Sequence, residues 1–218
     1  MEPKNRELLI EGAKDFGIDL DEKTLNAFDL FLAELLKWNQ KINLTAIRTE
    51  KEIIIKHFLD SLSVSPYLLR PASVLDIGSG AGFPGIPLKM VASSLDVTLL
   101  DSVRKKVDFQ RHIIRSLGLG GIEAIHGRAE DREIRQKMER QFDCVLSRAF
   151  SDLQSLLLLS DPFLRDGGIA LAMKGKVKEE AVHALNKEGK PRYRLQKIVP
   201  FTLPFTSLKR TILLFEKQ

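Results

Sequence analysis

The sequence predicts an α/β fold: a mostly parallel sheet covered by helices on both faces, with an antiparallel last strand and an N-terminal helical extension. Three observations carry this. From residue 72 onward, short β-rich runs alternate with helical segments, the grammar of a parallel sheet whose crossovers are helices. The first 65 residues show helical periodicity alone. The tail holds two β-rich runs, Tyr193 to Phe201 and Leu208 to Phe215, joined by TLPFTS, which read as a closing antiparallel pair.

The elements follow in order. Leu25, Phe28, Leu32, Leu35 and Leu36 recur on one helical face. Thr49-Glu-Lys-Glu52 is a capping-box pattern ahead of Ile53-Ile-Ile55, so a new helix starts there, and Ser65-Pro66 and Arg70-Pro71 punctuate its end. Strands are expected near 73–77, 96–101, 121–126, 142–147 and 168–173, with helices near 84–93, 103–117, 130–138 and 152–163. The change of pattern divides the chain into a helical cap, 1–66, and a Rossmann-like core, 67–218.

Composition narrows the function. The 218 residues suffice for one sizeable core. A single cysteine, Cys144, excludes a disulfide framework and a multi-thiolate metal site, and it fits a reducing cytoplasm. Its place within Phe142-Asp-Cys-Val-Leu146 reads as core rather than nucleophile. The start, MEPKNRELL, lacks the apolar stretch of a signal peptide, and no apolar run approaches a membrane span. Charge is uneven. Residues 1–66 hold 9 Lys and Arg against 12 Asp and Glu, a net of −3, whereas the remainder holds 25 against 17, a net of +8. A basic body suits a polyanionic partner, although a solvated basic surface has the same signature.

The chemistry concentrates in VLDIGSGAGFPGIPL, Val74 to Leu88. Gly78, Gly80 and Gly82 allow positive φ and close backbone approach after a strand, and the next helix offers unpaired N–H groups. A phosphate-binding G-x-x-x-x-G-K-[ST] loop is excluded, because Ile86-Pro87 stands where Lys-Ser/Thr is needed. Gly80-Ala-Gly82-Phe-Pro-Gly85 matches a dinucleotide G-x-G-x-x-G literally, but it starts late relative to the strand and Pro84 interrupts it. The frame Asp76-Ile-Gly78-Ser-Gly80-Ala-Gly82 fits better. It resembles motif I of the class I S-adenosylmethionine-dependent methyltransferases, in which a carboxylate at the strand end orients the ammonium end of the cofactor, directly or through water.

That resemblance orders the rest of the pocket. Asp101 ends the strand VTLLD, where a carboxylate accepts two ribose hydroxyls; the alternative is a helix N-cap. Gly127-Arg-Ala129-Glu130-Asp131 falls where this fold holds adenine, and Glu130 also reads as an ordinary first-turn carboxylate.

Trp38-Asn39-Gln-Lys-Ile-Asn43-Leu44-Thr45, His57-Phe-Leu-Asp60-Ser61, Ser147-Arg148-Ala149-Phe150 and Lys174-Gly175 complete a set of motifs. Together with the glycine loop they resemble the bacterial methyltransferase G family, once called glucose-inhibited division protein B, over roughly residues 25 to 215. The resemblance implies methylation of N7 of one guanine in 16S ribosomal RNA of the small subunit, with S-adenosyl-L-methionine as cofactor; a cytoplasmic monomer is expected. It implies a cofactor site of Gly78, Gly80, Phe83, Asp101, Ala129, Glu130 and Arg148, and a substrate side of Arg148, Lys174 and His57.

Elementary chemistry agrees. Guanine N7 carries an in-plane lone pair and no proton, so its methylation needs alignment and water exclusion rather than a general base. No residue is therefore assigned as catalytic acid or base. An arginine directly against N7 would oppose the cation that forms, so Arg148 belongs at a cofactor or peripheral contact, donating to guanine O6 or a phosphate. Phe150 reads equally as a base-stacking ring or as core. His57 reads as an interhelical histidine, with Asp60 as its i+3 partner, or as a substrate contact. His112, His126 and His183 form no ligand cluster, so no metal is expected. Arg104-Lys105-Lys106, Lys174-Gly-Lys176-Val-Lys178 and Arg192-Tyr-Arg194 are candidate phosphate contacts, with Lys174 foremost because it follows a strand's C-terminal end.

Overall fold

In the computed structural model, residues 1–68, 72–148, 152–177 and 193–218 are described. Arg70-Pro71, Ala149, Phe150, Lys178, His183 and Arg192 lie outside the described residues. The apolar stripe of the N-terminal segment forms α2 (Glu22–Asn39), which follows α1 (Pro3–Lys14). Asp21 caps α2 by accepting the Thr24 N–H at 2.7 Å. Leu25, Phe28, Phe31, Leu32 and Leu35 are buried, whereas Leu36 is only partly so.

Thr49 caps the new helix as expected, although Glu52 returns its carboxylate to the Thr49 hydroxyl instead of the Thr49 N–H. Thr49 Oγ1 accepts from the Glu52 N–H at 3.4 Å and donates to its carboxylate at 3.0 Å. It opens a rod made of α3 (Glu50–Ile53), a π-helical stretch (Ile54–Leu59) and α4 (Asp60–Leu62). π geometry is uncommon and gathers at functional sites. Here it carries His57.

The strands are β1 (Ala72–Ile77), β2 (Leu95–Asp101), β3 (Ile122–His126), β4 (Phe142–Ser147), β5 (Leu164–Lys174), β6 (Tyr193–Thr202) and β7 (Lys209–Lys217). Between them lie α5 (Gly85–Val91), α6 (Arg104–Ser116), α7 (Arg132–Lys137) and α8 (Leu153–Ser160). They form one seven-stranded sheet in the order β3-β2-β1-β4-β5-β7-β6. β1 to β5 run parallel, and β7 is antiparallel to both of its neighbours. The expected strands and helices all form. β5 begins earlier than its hydrophobic pattern suggests, because Leu164 already pairs with Phe142 before the pairing breaks and resumes at Ile169 opposite Cys144. Gly167, at φ +76, makes that interruption possible.

Phe28, Phe31 and Phe58 of the cap share one continuous core with Val74, Leu99, Phe109 and Leu146 of the sheet and α6. Each such ring contributes about 1.5–3 kcal/mol by burial. A second cluster under α8 fills the opposite face with Leu75, Val145, Leu156, Phe163 and Leu213. Cys144 is buried within the first core, and burial pushes its thiol up to about 12, so it is an inert packing residue. No helix among the described residues is long and apolar enough to cross a membrane.

Candidate active site

β1 to β5 all end at one edge of the sheet, and the strand order reverses between β1 and β4. Open α/β sheets bind ligands at such a switch point. The loop after β1 sits there. Gly78 N–H donates to Leu100 O at 2.8 Å, so the chain leaves β1 still tied to β2. Gly78 and Gly80 take φ of +71° and +60°. A Cβ at Gly78 would meet nothing within 4 Å, whereas one at Gly85 would lie 2.3 Å from Leu99 Cδ2 and 3.0 Å from Asp76 Oδ2. The first half of the loop therefore opens to space, and the second half lets α5 settle on β2.

Side chains from three elements fix this loop. Asp101 Oδ2 accepts the Gly80 N–H and Oδ1 accepts the Val103 N–H, both at 2.8 Å. The N-cap reading of Asp101 does not hold, because α6 starts at Arg104 behind Val103 with no side-chain cap. Gln110 of α6, fully buried, donates to Ser79 Oγ at 2.9 Å and Gly80 O at 2.7 Å. Asp76 Oδ2 accepts the Gly85 N–H at 2.9 Å. Its Oδ1 is buried with no hydrogen-bond partner among the described residues. Burial pushes the Asp76 carboxyl up to about 7, against the pull of the Gly85 N–H and the Arg148 charge.

Two hollows flank the loop. The first, of about 310 Å³, is lined by Gly78, Asp101, Ser102, Ala129, Glu130 and Leu159. Five of the residues expected at the cofactor thus gather in or beside it, with Gly80 held directly to Asp101. Phe83 lines neither hollow. Its ring is buried, stacked on His57 at 4.7 Å and on Phe31 at 5.2 Å, so it joins the cap to the loop. The second hollow, of about 380 Å³, lies under the cap, with Lys56, His57, Asp60, Arg148, Lys174 and Arg210 around it. Arg148, Lys174 and His57, expected on the substrate side, all line it.

Arg148, expected at both cofactor and substrate, lines the second hollow and not the first. It donates to Lys56 O at 3.1 Å and to His57 Nδ1 at 2.9 Å, lies 3.7 Å from Asp60 Oδ2, and covers the Phe83 ring with its guanidinium carbon 5.6 Å from the centroid. Its charge also acts on Asp76. Burial and the neighbouring Arg148 charge hold His57 down near 3, so the imidazole is neutral. The expected His57–Asp60 pair does not form. Asp60 turns instead to Arg210, whose Nε lies 3.0 Å from Oδ1, and to Arg148, because two half-buried cations outcompete a neutral ring. Burial raises the Asp60 carboxyl while both arginines oppose the rise. Lys174 has its ammonium lowered by burial, with Asp152 opposing.

Lys56, Thr45, Gln110 and Arg210 escaped the sequence reading. Lys56 follows from His57 by adjacency, and Thr45 lies inside a quoted motif. Gln110 and Arg210 carry no motif, and only packing reveals them. Of the other basic runs, Arg194 is engaged by Glu216 at 2.8 Å, and Arg104 lies 3.4 Å from His126. No group of three or more His, Cys, Asp or Glu among the described residues could hold a metal ion.

The sheet order, the glycine loop and the carboxylate at the end of β2 define the S-adenosylmethionine-dependent methyltransferase class. Solved structures agree on the fold. A SAM-dependent methyltransferase from Aquifex aeolicus superposes with a TM-score of 0.59 at 17% identity, over 77% of this chain and 93% of that one. M. jannaschii TYW2 in complex with AdoMet gives 0.58 at 16% identity, over 73% and 75%. Sequence comparison then singles out the family. The model of the family described as rRNA small subunit methyltransferase G matches residues 24–211. Ribosomal RNA small subunit methyltransferase G of Acetivibrio thermocellus is 40% identical over 99% of this chain and 90% of that protein. Its namesake in Geobacter sp. strain M21 is 42% identical over 98% of each. This chain belongs to the rRNA small subunit methyltransferase G family.

Proposed function

We propose that this enzyme methylates N7 of a specific guanine in 16S ribosomal RNA of the small ribosomal subunit, as a cytoplasmic monomer. Residues 1–66 serve as the cap over the substrate and residues 67–218 as the transfer core. The observation that supports the reading is a pair of hollows: one holds Asp101 and Glu130 beside Arg128, and the other gathers Lys56, Arg148, Lys174 and Arg210 around Asp60.

The residues present fit S-adenosylmethionine. The unpartnered, buried Asp76 Oδ1 calls for a donor, which an ammonium group or a bridging water supplies. Gly78 leaves open space where any side chain would intrude. Asp101, with both oxygens already oriented by backbone N–H groups, has lone pairs left for a ribose. Ala129 and Glu130, which line the same hollow, would hold the adenine. When bound, the cofactor supplies an electrophilic methyl group on a sulfonium.

The chain's own residues align and shield. N7 needs no deprotonation, so the site requires orientation and a dry boundary. Phe83, Phe31 and His57 form an apolar stack that closes the cap side. Arg148, Lys174 and Arg210 supply charge-assisted donors for a phosphate or for guanine O6. Asp60 offsets the two arginines and Asp152 acts on Lys174, so the hollow accepts an anion without an uncompensated cluster of cations.

Transfer of tritiated methyl from S-adenosylmethionine to 16S ribosomal RNA or 30S subunits, followed by mapping of the modified base, tests the proposal. Label at a single guanine N7 is expected. A protein that binds the cofactor yet labels neither substrate refutes it. Sedimentation of the pure protein tests the monomer.

A further inference from the structure

Arg148 is fixed by a chain of contacts that ends on a residue with no assigned role. Its guanidinium has only donors, so the 2.9 Å contact to His57 Nδ1 requires a lone pair on that nitrogen. A neutral imidazole carries its proton on the other nitrogen. His57 Nε2 is therefore the protonated atom, and it points at Thr45 Oγ1, 2.8 Å away. Thr45 Oγ1 also accepts the Ile47 N–H at 3.1 Å. Two incoming N–H groups use both lone pairs of the hydroxyl, so the hydroxyl faces His57 as an acceptor. Asn39 holds this loop in place: its Oδ1 accepts the Leu44 and Thr45 N–H groups, at 2.9 and 3.0 Å, and its Nδ2 donates to Thr45 O at 2.9 Å.

We propose that Thr45 is a positioning residue for methyl transfer: by accepting from His57 Nε2 it selects the imidazole tautomer whose Nδ1 holds Arg148 in place in the second hollow. The inference rests on the proposed function for its kinetic consequence, but not for the tautomer itself. Packing leaves the ring little freedom otherwise. Phe83 stacks on one face of His57 at an interplanar angle of 15°. The charged groups around the ring are Lys56 beside it on the π-helical stretch, Arg148 from the end of β4, and Asp60 and Arg210 across the hollow. Two of the cations disfavour a proton on the ring, so the ring holds its single proton, and the choice of nitrogen falls to its hydrogen-bond partners. With the proton on Nδ1 instead, an N–H would face the guanidinium, and Arg148 would lose an anchor.

The test combines a spectrum with kinetics. In the wild-type protein, ¹⁵N chemical shifts of the His57 ring are expected to show an unprotonated Nδ1 and a protonated Nε2 throughout pH 6–8. Thr45→Val keeps the shape of the side chain and removes the acceptor. It should shift the ring toward a mixture of tautomers and lower kcat/KM for the ribosomal RNA substrate about tenfold, with cofactor affinity changed less than twofold. Thr45→Ser restores the hydroxyl and should recover both signals. A wild-type ring protonated on Nδ1, or a Thr45→Val enzyme with wild-type kcat/KM, overturns the inference. So does a Thr45→Ser enzyme as slow as Thr45→Val, since that would reduce the role to packing. An inactive wild type with the expected tautomer would instead reject the proposed substrate and leave the tautomer assignment standing.

Discussion

The two hollows at the sheet edge are built by opposite means. The cofactor side is made largely of backbone. Its loop runs through Gly78 and Gly80, and nearby short segments, Asp101 to Val103 and Gly127 to Glu130, complete it. The hollow proposed for the substrate is lined from five separated places: Ile47, the Lys56–Asp60 stretch, Arg148, Lys174 and Arg210. A backbone cradle needs glycines at defined offsets and so leaves a motif. A side-chain cradle needs only that folding bring the right groups together, and any stretch of chain can contribute one.

Substitutions on the two sides should therefore fail differently. The largest effect is expected at Arg148. Arg148→Met removes the cation that acts on Asp76 and one of the two that act on Asp60, which keeps Arg210, and weakening such a buried cluster costs about 3 kcal/mol. Urea melts of the protein without ligands read this directly, and a midpoint like that of wild type would show the two hollows to be independent. Next comes Asp101→Ala, which removes the ribose acceptor and releases the Gly80 and Val103 N–H groups together. Calorimetry should show S-adenosylmethionine binding weakened by about 2–4 kcal/mol. Unchanged affinity would remove Asp101 from the cofactor site.

The pH dependence separates the sides by sign. Asp76 is raised to about 7, so between pH 7 and its unfolded value the folded state binds more protons, and acidification stabilises it. His57 is depressed to about 3, so the stability it contributes is complete above 6.5 and is lost as pH falls toward 3. Between pH 7 and 5 the two largely cancel. Asp76→Asn keeps an acceptor for the Gly85 N–H and removes one of them, so the variant should lose about 2 kcal/mol more than wild type over that range. Parallel pH profiles for the two proteins would show that Asp76 is already ionised. The smallest effect is expected at the open end of the substrate side. Lys174→Ala should weaken ribosomal RNA binding by about 1 kcal/mol and reduce the salt slope by about one, with cofactor affinity unaltered. A loss confined to the cofactor would move Lys174 to the other hollow.

The unevenness in what could be read beforehand has the same origin. Alternation of β-rich and helical segments is a local pattern, and all five parallel strands formed, four near where it placed them and β5 from an earlier start at Leu164. The glycine loop was legible because positive φ admits few residues. Asp101 was legible by position, but its grip on the Gly80 N–H was not, since that contact spans 21 residues between adjacent strands. The expected His57–Asp60 pair failed for a physical reason: i+3 spacing permits the contact, yet Arg210, 150 residues away, offers Asp60 a charge.

By itself, then, the sequence determined the sheet, its crossovers, the cofactor loop and the family, because each depends on periodicity or on backbone geometry that restricts residue type locally. Tertiary structure alone decided what Arg148 touches, which way His57 carries its proton, and that Arg210 joins the site. Arg210 reaches the edge only because β7 runs antiparallel, which sets the start of that strand beside the end of β5, with Thr211 opposite Lys174. Interactions between side chains distant along the chain cost nothing in local pattern, so nothing in the local pattern announces them.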